Sequence, residues 1–286
     1  MLTPESNQSP ENLKLAYYLG WCVELLFDSM NIADDMMDGG KTRRFKTCWH
    51  LLEDVKMSAI NDAFLIESCV YYLLRKHFSH LNCYLQLLEL FHESAFIGFL
   101  GQALDVKFSQ NFFDITMKNY EVIVKNISSH LASYFPVVLG MILAGYSTPE
   151  TLKKAKLILT DLGYFYIIEN DFMDCFGDAK IIGKIGRDIQ EGKCRWMAVA
   201  CLENASPAQR ETMKAHYGRD NPQDEAIIKQ LYLDINLPEI YAKYSREIYN
   251  RLLKTVEENS SGDLKKVYLK LIETMTCSRA AGGLYA

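Results

Sequence analysis

The chain has 286 residues, of which 49% are hydrophobic and 23% charged, and its formal net charge is −5. This charge gives no general attraction to nucleic acid or to an anionic membrane, so neither is an expected partner. No uninterrupted apolar run of about 18 residues is present, so the sequence predicts no membrane span. The eight cysteines are scattered without a CxxC pair, which favours reduced thiols in a cytoplasmic protein.

Apolar residues recur at helical spacing in ten segments, and the alternation typical of strands is nearly absent. The segments are 13–38, 58–78, 81–105, 119–145, 149–176, 193–203, 207–217, 223–233, 238–257 and 262–276. Ser147 with Glu150, and Ser206 with Gln209, predict capping boxes at the start of two helices. We therefore predict an all-α, single-domain helical bundle over residues 1–286 with a central cavity, in which residues 1–11 are flexible.

The first candidate site is an acidic cluster, Asp34, Asp35 and Asp38, at the end of an apolar helix. Residues i and i+4 of an α-helix lie on one face about 6 Å apart, so Asp34 and Asp38 are placed to bind one cation. Mg²⁺ prefers oxygen ligands and usually keeps water and phosphate oxygens in its shell. Because neighbouring carboxylates beside apolar surface repel each other unless cations bind them, we predict a metal site here.

A second acidic cluster follows the equally apolar segment LGYFYIIE. Two such clusters facing one cavity would hold several Mg²⁺ ions against a diphosphate, and the basic residues after each cluster would bind the remaining phosphate oxygens. The predicted metal ligands are Asp34, Asp38, Asn170, Asp171, Asp174 and Asp178. The predicted catalytic residues are Asp34, Asp35, Asp38, Asn170 and Asp174. The predicted diphosphate-binding residues are Arg43, Arg44, Lys184, Arg187 and Lys193.

Several motifs together resemble animal farnesyl diphosphate synthases from about residue 12 to about residue 250. The motifs are ADDMMD, INDAFLIESCVYYLLRKHF, GQALD, FMDCFGD and GKIGRDIQEGKCRW. This resemblance implies the isoprenoid synthase α-fold, a homodimer, and three Mg²⁺ ions, for which Mn²⁺ can substitute. It also implies that an allylic prenyl diphosphate is the substrate and lies between the two acidic helices.

The sequence departs from this family mainly where isopentenyl diphosphate, the second substrate, would bind. Phe27 stands where the family has a glutamine, and a buried aromatic ring does not replace a hydrogen-bonding partner of a diphosphate. We expect the upstream GGKxxR segment and the basic C-terminal tail of the family to be absent, so that Arg44 alone remains from this set. On the allylic side Asp34, Asp35, Asp38, Arg43, Lys184 and Lys193 match the family.

Three changes also fall within the allylic site. Ile127 and Ser128 stand at the family's Lys-Thr pair, so one phosphate contact is lost, and Ile167 replaces a glutamine. Asn170 opens the second motif, which resembles the Asn/Asp-led metal motif of class I terpene synthases, whose ligands fall here at Asn170, Asp174 and Asp178. Asparagine lacks the charge of aspartate but still offers a carbonyl oxygen.

These departures favour a class I terpene synthase, similar to those that some insects derive from farnesyl diphosphate synthases, as the leading hypothesis. Such an enzyme ionises geranylgeranyl or farnesyl diphosphate with Mg²⁺, and the carbocation then cyclises and loses a proton in a dry apolar pocket. The predicted pocket residues are Phe27, Ser29, Met30, Phe96, Ile127 and Ile167. Two alternatives stay open: a short-chain prenyl diphosphate synthase, and a non-catalytic partner subunit of a prenyltransferase.

The predicted pocket floor gives an expectation about chain length. The farnesyl synthases carry aromatic residues at the fifth and fourth positions before the first aspartate, and these positions are Ser29 and Met30 here. Loss of the aromatic ring at Ser29 is expected to deepen the cavity. We therefore slightly favour a twenty-carbon substrate over a fifteen-carbon one.

Overall fold

The computed structural model describes residues 9–110, 112–177 and 186–280. Within these ranges the fold is all-α, as predicted, and the one piece of sheet is an antiparallel hairpin of β1 (Thr42–Arg43) and β2 (Lys46–Thr47). The α-helices are α1 (Pro10–Met37), α2 (Ala59–Phe78), α3 (Tyr84–Gln110), α4 (Met117–Ile123), α5 (Phe135–Leu143), α6 (Pro149–Phe176), α7 (Trp196–Asn204), α8 (Pro207–His216), α9 (Pro222–Asp234), α10 (Leu237–Asn259) and α11 (Gly262–Ala280).

Side-chain caps fix where several helices begin. Ser206 and Gln209 form the predicted capping box, in which each side chain bonds the backbone of the other at the start of α8. The prediction for α6 was one residue off, because Thr148 and not Ser147 is the cap, and its side chain accepts the Thr151 amide at 3.2 Å. Helix starts are therefore readable from sequence to within about one residue where a hydroxyl precedes a proline.

The helix that carries the first acidic cluster is long and continuous. Ser9 caps α1, so residues 10 and 11, which we expected to be flexible, form its first turn. Leu19, Cys22 and Leu26 lie on its buried face at helical spacing and are at most 4% exposed. This burial holds α1 against the rest of the bundle and fixes where its C-terminal aspartates lie.

Buried side chains form two apolar clusters. One cluster joins α1, α2, α3, α5 and α6, and within it the Phe91 and Phe135 rings meet edge to face at 5.0 Å. The other joins α6 to α7, α9 and α10, and here the Phe172 and Tyr241 rings stack at 4.0 Å. Helix α6 belongs to both clusters, so the second acidic motif lies on the element that connects the two halves of the core.

The helix from Met117 to Leu143 changes its winding in the middle. Between α4 and α5 it continues as two π-helical turns, residues 124–128 and 130–134. Such wide turns are frequent at functional sites. In the described part of the chain this is also the one helix long and apolar enough to cross a membrane, with 44% of its most apolar window buried in the bundle. Length and composition alone do not separate a membrane span from a core helix.

The π-helical segment approaches α6 very closely at Gly163. A Cβ atom added to Gly163 would lie 2.6 Å from the Cα of Ser129, which is backbone and has little freedom to move away. Gly140 in α5 differs, because a Cβ there would have no neighbour within 4 Å.

We expect Gly163→Ala to lower the free energy of unfolding by about 1–3 kcal/mol, because the methyl group overpacks the contact between α6 and the π-helical segment. The matched variant Gly140→Ala should instead raise stability by up to about 1 kcal/mol, the usual helical preference for alanine. Urea denaturation of both variants measures this difference. Similar stabilisation by both changes would show that the contact is not tight.

His130 in the π-helical segment is buried and bonds the Ser94 hydroxyl through Nε2 at 2.9 Å. Burial, and to a smaller extent Lys156, lowers the pKa of His130 from 6.5 to about 4. The imidazole is therefore neutral in the folded protein over the pH range where it would gain a proton in the unfolded chain.

Stability should consequently fall as the pH is lowered from about 6.5 to about 4, because only the unfolded state binds a proton there. The loss from this group should reach about 3 kcal/mol and be absent above pH 7. His130→Gln should flatten the pH dependence of the free energy of unfolding, whereas His80→Gln, at an exposed histidine, should not. Equal slopes for the His130 variant and the wild type would contradict this assignment.

Candidate active site

The ends of α1 and α6 face one cavity of about 680 Å³. Asp34 lines it from α1, and Asn170 and Asp171 line it from α6. The sequence prediction that two acidic clusters meet across a cavity is therefore seen in the structure for these three residues. Asp178 and Lys184, a predicted metal ligand and a predicted diphosphate ligand, lie outside the described residues.

The β1–β2 hairpin brings a cation onto the first acidic cluster. Arg43 Nη2 lies 2.9 Å from Asp34 Oδ2 and 2.8 Å from Asp35 Oδ1, and Nε donates to Asp35 Oδ2 at 2.9 Å. The turn between the strands has φ values of 49° at Arg44 and 64° at Phe45, which non-glycine residues seldom adopt. The backbone at the tip of the hairpin is therefore strained, and Arg43 beside it pairs with Asp34 and Asp35.

Asp34 carries an unfavourable charge in this arrangement. Burial is the larger cause that raises the pKa of Asp34, and the neighbouring Asp38 adds to it, while Arg43 and Lys193 act in the opposite direction. The raised pKa means that the cations of the protein do not fully compensate this carboxylate. A further cation beside Asp34 is therefore electrostatically favourable.

A second cation, Lys193, connects α1 to α3. Its Nζ donates to Asp38 Oδ2 at 2.6 Å and to Asp105 Oδ2 at 2.7 Å. The other oxygen of Asp105 accepts Arg195 Nη1 at 2.7 Å. Burial would raise the pKa of Asp105, but Arg195 and Lys193 together lower it. Our site prediction did not include Asp105, although it stands in GQALD, a motif that carries the family resemblance.

The residues of the second acidic cluster have different surroundings. Asp171 is almost fully buried, and its Oδ2 accepts both the Tyr120 hydroxyl at 2.6 Å and the Trp196 amide at 2.8 Å. These bonds tie α6 to α4 and α7 and leave that oxygen little capacity for a metal. Asp174 Oδ1 accepts the Asp188 amide at 3.1 Å. Among the described residues of this cluster, Asn170 and Asp171 are the oxygen donors that line the cavity.

These donors fit Mg²⁺ shared with a phosphate group. Among the described residues no three acidic, histidine or cysteine side chains converge closely enough to hold a metal by themselves. Mg²⁺ rarely needs such a cage, since one or two carboxylates with water and phosphate oxygens complete its octahedral shell. Asp34 and Asp38 on one side, and Asn170 on the other, offer this kind of partial shell. All three remain predicted metal ligands.

The remaining predicted diphosphate ligands differ in position. Arg44 lines the cavity, and its ion pairs with Glu24 and Asp28 are long, at 3.4 Å. Arg187 instead pairs with Glu191 at 3.0 Å and Asp220 at 3.4 Å, and the cavity lining in the described residues does not include it. Arg44 is therefore the more accessible cation of the two for a ligand in the cavity.

The apolar wall agrees with the predicted pocket at four of six positions. Phe27, Met30, Ile127 and Ile167 line the cavity. The prediction for Phe96 was wrong, since its side chain is 68% exposed on the outer face of α3.

Ser29 does not deepen the main cavity. It lines a separate apolar cavity of about 300 Å³, and Ala33, Met37 and Phe99 border both spaces. The Ser29 hydroxyl bonds the Leu26 carbonyl at 2.7 Å and is thereby satisfied within its own helix. The missing aromatic ring thus leaves space beside the main cavity. The side chains of Ala33, Met37 and Phe99 lie between the two spaces.

A model of the polyprenyl synthetase family matches residues 1–235. The chain belongs to the polyprenyl synthetase family. A farnesyl pyrophosphate synthase of Nezara viridula is 37% identical over 273 residues, covering 95% of this chain and 68% of that protein. The Bos taurus farnesyl pyrophosphate synthase is 38% identical over 276 residues, covering 95% of this chain and 78% of that protein.

A solved structure supports the same relationship. Farnesyl diphosphate synthase of T. brucei, complexed with the bisphosphonate BPH-722, superposes with a TM-score of 0.84 at 26% identity, covering 95% of this chain and 80% of that one. Family membership makes the chain an enzyme of the prenyltransferase type. These comparisons favour the prenyl diphosphate synthase alternative over the terpene synthase that we placed first.

We expect Asp34→Asn to preserve the fold and to raise the melting temperature without divalent cations by about 2–4 °C, since it relieves repulsion within the acidic cluster. The same change should remove the rise in melting temperature that Mg²⁺ with inorganic pyrophosphate gives the wild type. Asp28→Asn on the same helix is the control and should retain that rise. An Asp34 variant that still responds to Mg²⁺ and pyrophosphate would contradict the metal assignment.

Proposed function

We propose that the chain is a Mg²⁺-dependent prenyl diphosphate synthase that ionises an allylic prenyl diphosphate and couples it to isopentenyl diphosphate. The observation that carries the proposal is that Asp34 and Asn170, from acidic clusters on two long helices, line one cavity. The family match spans both helices. Oxygen donors on two sides of an apolar cavity suit a substrate with a diphosphate head and a hydrocarbon tail.

Asp34, Asp38 and Asn170 would hold the Mg²⁺ ions, which supply positive charge to the departing diphosphate. In the structure Arg43 and Lys193 pair with the first acidic cluster at distances of 2.6–2.9 Å. With these carboxylates engaged by metal, both cations would be positioned to bind the diphosphate oxygens. Charge-assisted bonds of this kind stabilise the leaving group as its charge develops.

The cavity wall would protect the carbocation after the diphosphate leaves. Phe27, Met30, Ile127 and Ile167 give the cavity an apolar lining that would disfavour water beside the carbocation. Aromatic faces near a positive charge attract it, and Phe99 and Tyr120 also line this cavity. Water exclusion matters because a carbocation that meets water becomes an alcohol.

Arg44 would bind the second diphosphate, that of isopentenyl diphosphate. It lines the cavity, and its side chain is 63% exposed. Its ion pairs with Glu24 and Asp28 are solvent-exposed, so a diphosphate would displace them at little cost. Arg44 follows Arg43 directly in the hairpin, which places one cation on the acidic cluster and the next on the rim.

A terpene synthase is the second candidate, and the composition of the wall favours it. Phe27 and Ile167 stand where the farnesyl synthases have glutamines, and both line the cavity. The Phe27 ring also meets Phe135 edge to face at 6.0 Å, which fixes it in an apolar setting. With weak binding of isopentenyl diphosphate, the same carbocation would cyclise and lose a proton to give a terpene hydrocarbon.

We further propose a homodimer in the cytoplasm. Phe64 and Leu65 on α2, and Phe96 and Leu100 on α3, are exposed apolar side chains of the kind that subunit interfaces cover. Seven cysteines whose side chains the structure describes are unpaired thiols, which supports a reducing compartment.

A product assay with Mg²⁺ tests the proposed reaction. One arm supplies a short allylic diphosphate with isopentenyl diphosphate, and the other supplies farnesyl or geranylgeranyl diphosphate alone. We expect a longer prenyl diphosphate from the first arm, detected as its alcohol by gas chromatography–mass spectrometry after dephosphorylation. A hydrocarbon from the single-substrate arm, with no elongation in the other, would establish the terpene synthase instead. No product in either arm would indicate the non-catalytic partner subunit.

Two variants sharpen this assay. Asp34→Asn should give no product in either arm and controls for contaminating activity. Phe27→Gln should lower the KM for isopentenyl diphosphate, because its amide offers a hydrogen-bond donor to the diphosphate, whereas Phe27→Leu should not.

A further inference from the structure

Arg195 lies on the cavity wall between the two acidic clusters, immediately before α7. Its Nη1 bonds Asp105 at 2.7 Å, and its Nε lies 3.5 Å from Asp188. Burial opposes its charge, but Asp105, Asp188 and Asp171 outweigh that effect and raise the pKa of Arg195. The guanidinium is therefore charged and held in place at the cavity.

The guanidinium retains capacity for another ligand. Arginine has five N–H donors in a rigid plane, and the contacts of Arg195 use Nη1 and Nε. Nη2 has no partner in the part of the chain that the structure describes. The side chain is 28% exposed, and the open space beside it is the cavity.

Asp105 holds two cations at once, Arg195 on one oxygen and Lys193 on the other, each at 2.7 Å. Lys193 also bonds Asp38, so one further carboxylate shares its positive charge. Arg195 also faces Asp188 at 3.5 Å, so Asp105 and Asp188 together hold Lys193 and Arg195 in place. If a metal engaged Asp38, Lys193 would keep Asp105 as its carboxylate partner among the described residues.

The same cavity lacks a cation at another position. Ile127 lines it from the π-helical segment, where the resemblance to farnesyl synthases implies a lysine that contacts the diphosphate. A Cβ atom added to Gly101 would collide with Cγ2 of Ile127, so the Ile127 side chain packs against bare backbone there.

We propose that Arg195 binds the diphosphate of the allylic substrate and supplies the positive charge that the wall lacks at Ile127. The proposal rests on the proposed function, because it concerns the same diphosphate. The two N–H groups of Nη2 can donate to phosphate oxygens, and Asp105 on Nη1 holds the guanidinium in position. Arg195 is thus a diphosphate-binding residue in addition to Arg43 and Lys193.

Binding of inorganic pyrophosphate in the presence of Mg²⁺, measured by isothermal titration calorimetry, tests the proposal. Arg195→Met should weaken binding by about 10- to 100-fold, the usual effect of losing a charge-assisted hydrogen bond. Adding Ile127→Lys to that variant should restore most of the affinity, because it returns a cation to the same cavity. Arg195→Lys should keep part of the affinity.

Each outcome of this experiment decides between a binding role and a structural one. Unchanged binding by Arg195→Met overturns the proposal, and so does a loss that neither Ile127→Lys nor Arg195→Lys repairs, since that pattern indicates a structural role. Thermal unfolding establishes that each variant is folded, and Arg195→Lys serves if the methionine variant is not. Arg251→Met, which removes an arginine paired with Asp161 away from the cavity, should bind normally.

A wild-type protein that binds no pyrophosphate with Mg²⁺ would count against the proposed function itself. A wild type that binds it as tightly as Arg195→Met does would count against this inference alone.

Discussion

Repulsion among carboxylates beside an apolar cavity is the constraint on which the rest of this structure depends. Asp34, Asp35 and Asp38 end one helix, and Asp105 faces them from another. Without nearby cations, partly buried carboxylates at this density would lose their protons only at considerable cost. The fold supplies these cations from other elements, Arg43 from the hairpin and Lys193 from the segment before α7. The site therefore contains basic residues as well as acidic ones.

The local backbone reflects this electrostatic demand. The hairpin after α1 places two non-glycine residues, Arg44 and Phe45, at positive φ, a conformation that costs of order 1–3 kcal/mol for each such residue. What the hairpin gains is Arg43, whose guanidinium meets two carboxylates in a fork. A cation held in this way lies beside the place where a metal and a diphosphate would arrive.

Neighbouring residues of the second acidic helix, α6, have different contacts. Successive residues on an α-helix point about 100° apart, so Asn170 and Asp171 need not share a role. Both residues line the cavity, but Asp171 also accepts two hydrogen bonds that join α6 to α4 and α7. An amide in place of a carboxylate at position 170 leaves those two bonds unchanged. The residue at position 170 can therefore vary without loss of the bonds that anchor α6.

Periodicity and local motifs were sufficient to predict the helices, the two acidic clusters and the capping box at Ser206. The sequence did not reveal what depends on long-range geometry. Asp105 and Arg195 form one ion pair across ninety residues, and no local pattern indicates their contact. We placed Phe96 in the pocket because helical spacing alone does not say which apolar face of a helix points to the cavity and which points outward. The expectation that Ser29 deepens the main cavity was also wrong, because Ser29 lines the neighbouring cavity instead.

The composition of the wall bears on what happens after ionisation, the step that both candidate reactions share. An allylic carbocation is captured by whichever electron-rich group reaches it first: the double bond of isopentenyl diphosphate, or a double bond of its own chain. Under the proposed function Arg44 at the rim would draw the first partner in, and the apolar side chain of Phe27 would give that partner's diphosphate no hydrogen bond. Occupancy by the second substrate should then fall as salt screens the charge of Arg44. The ratio of elongation to cyclisation would therefore depend on Phe27 and Arg44, whereas ionisation between the two acidic helices is common to both candidate reactions.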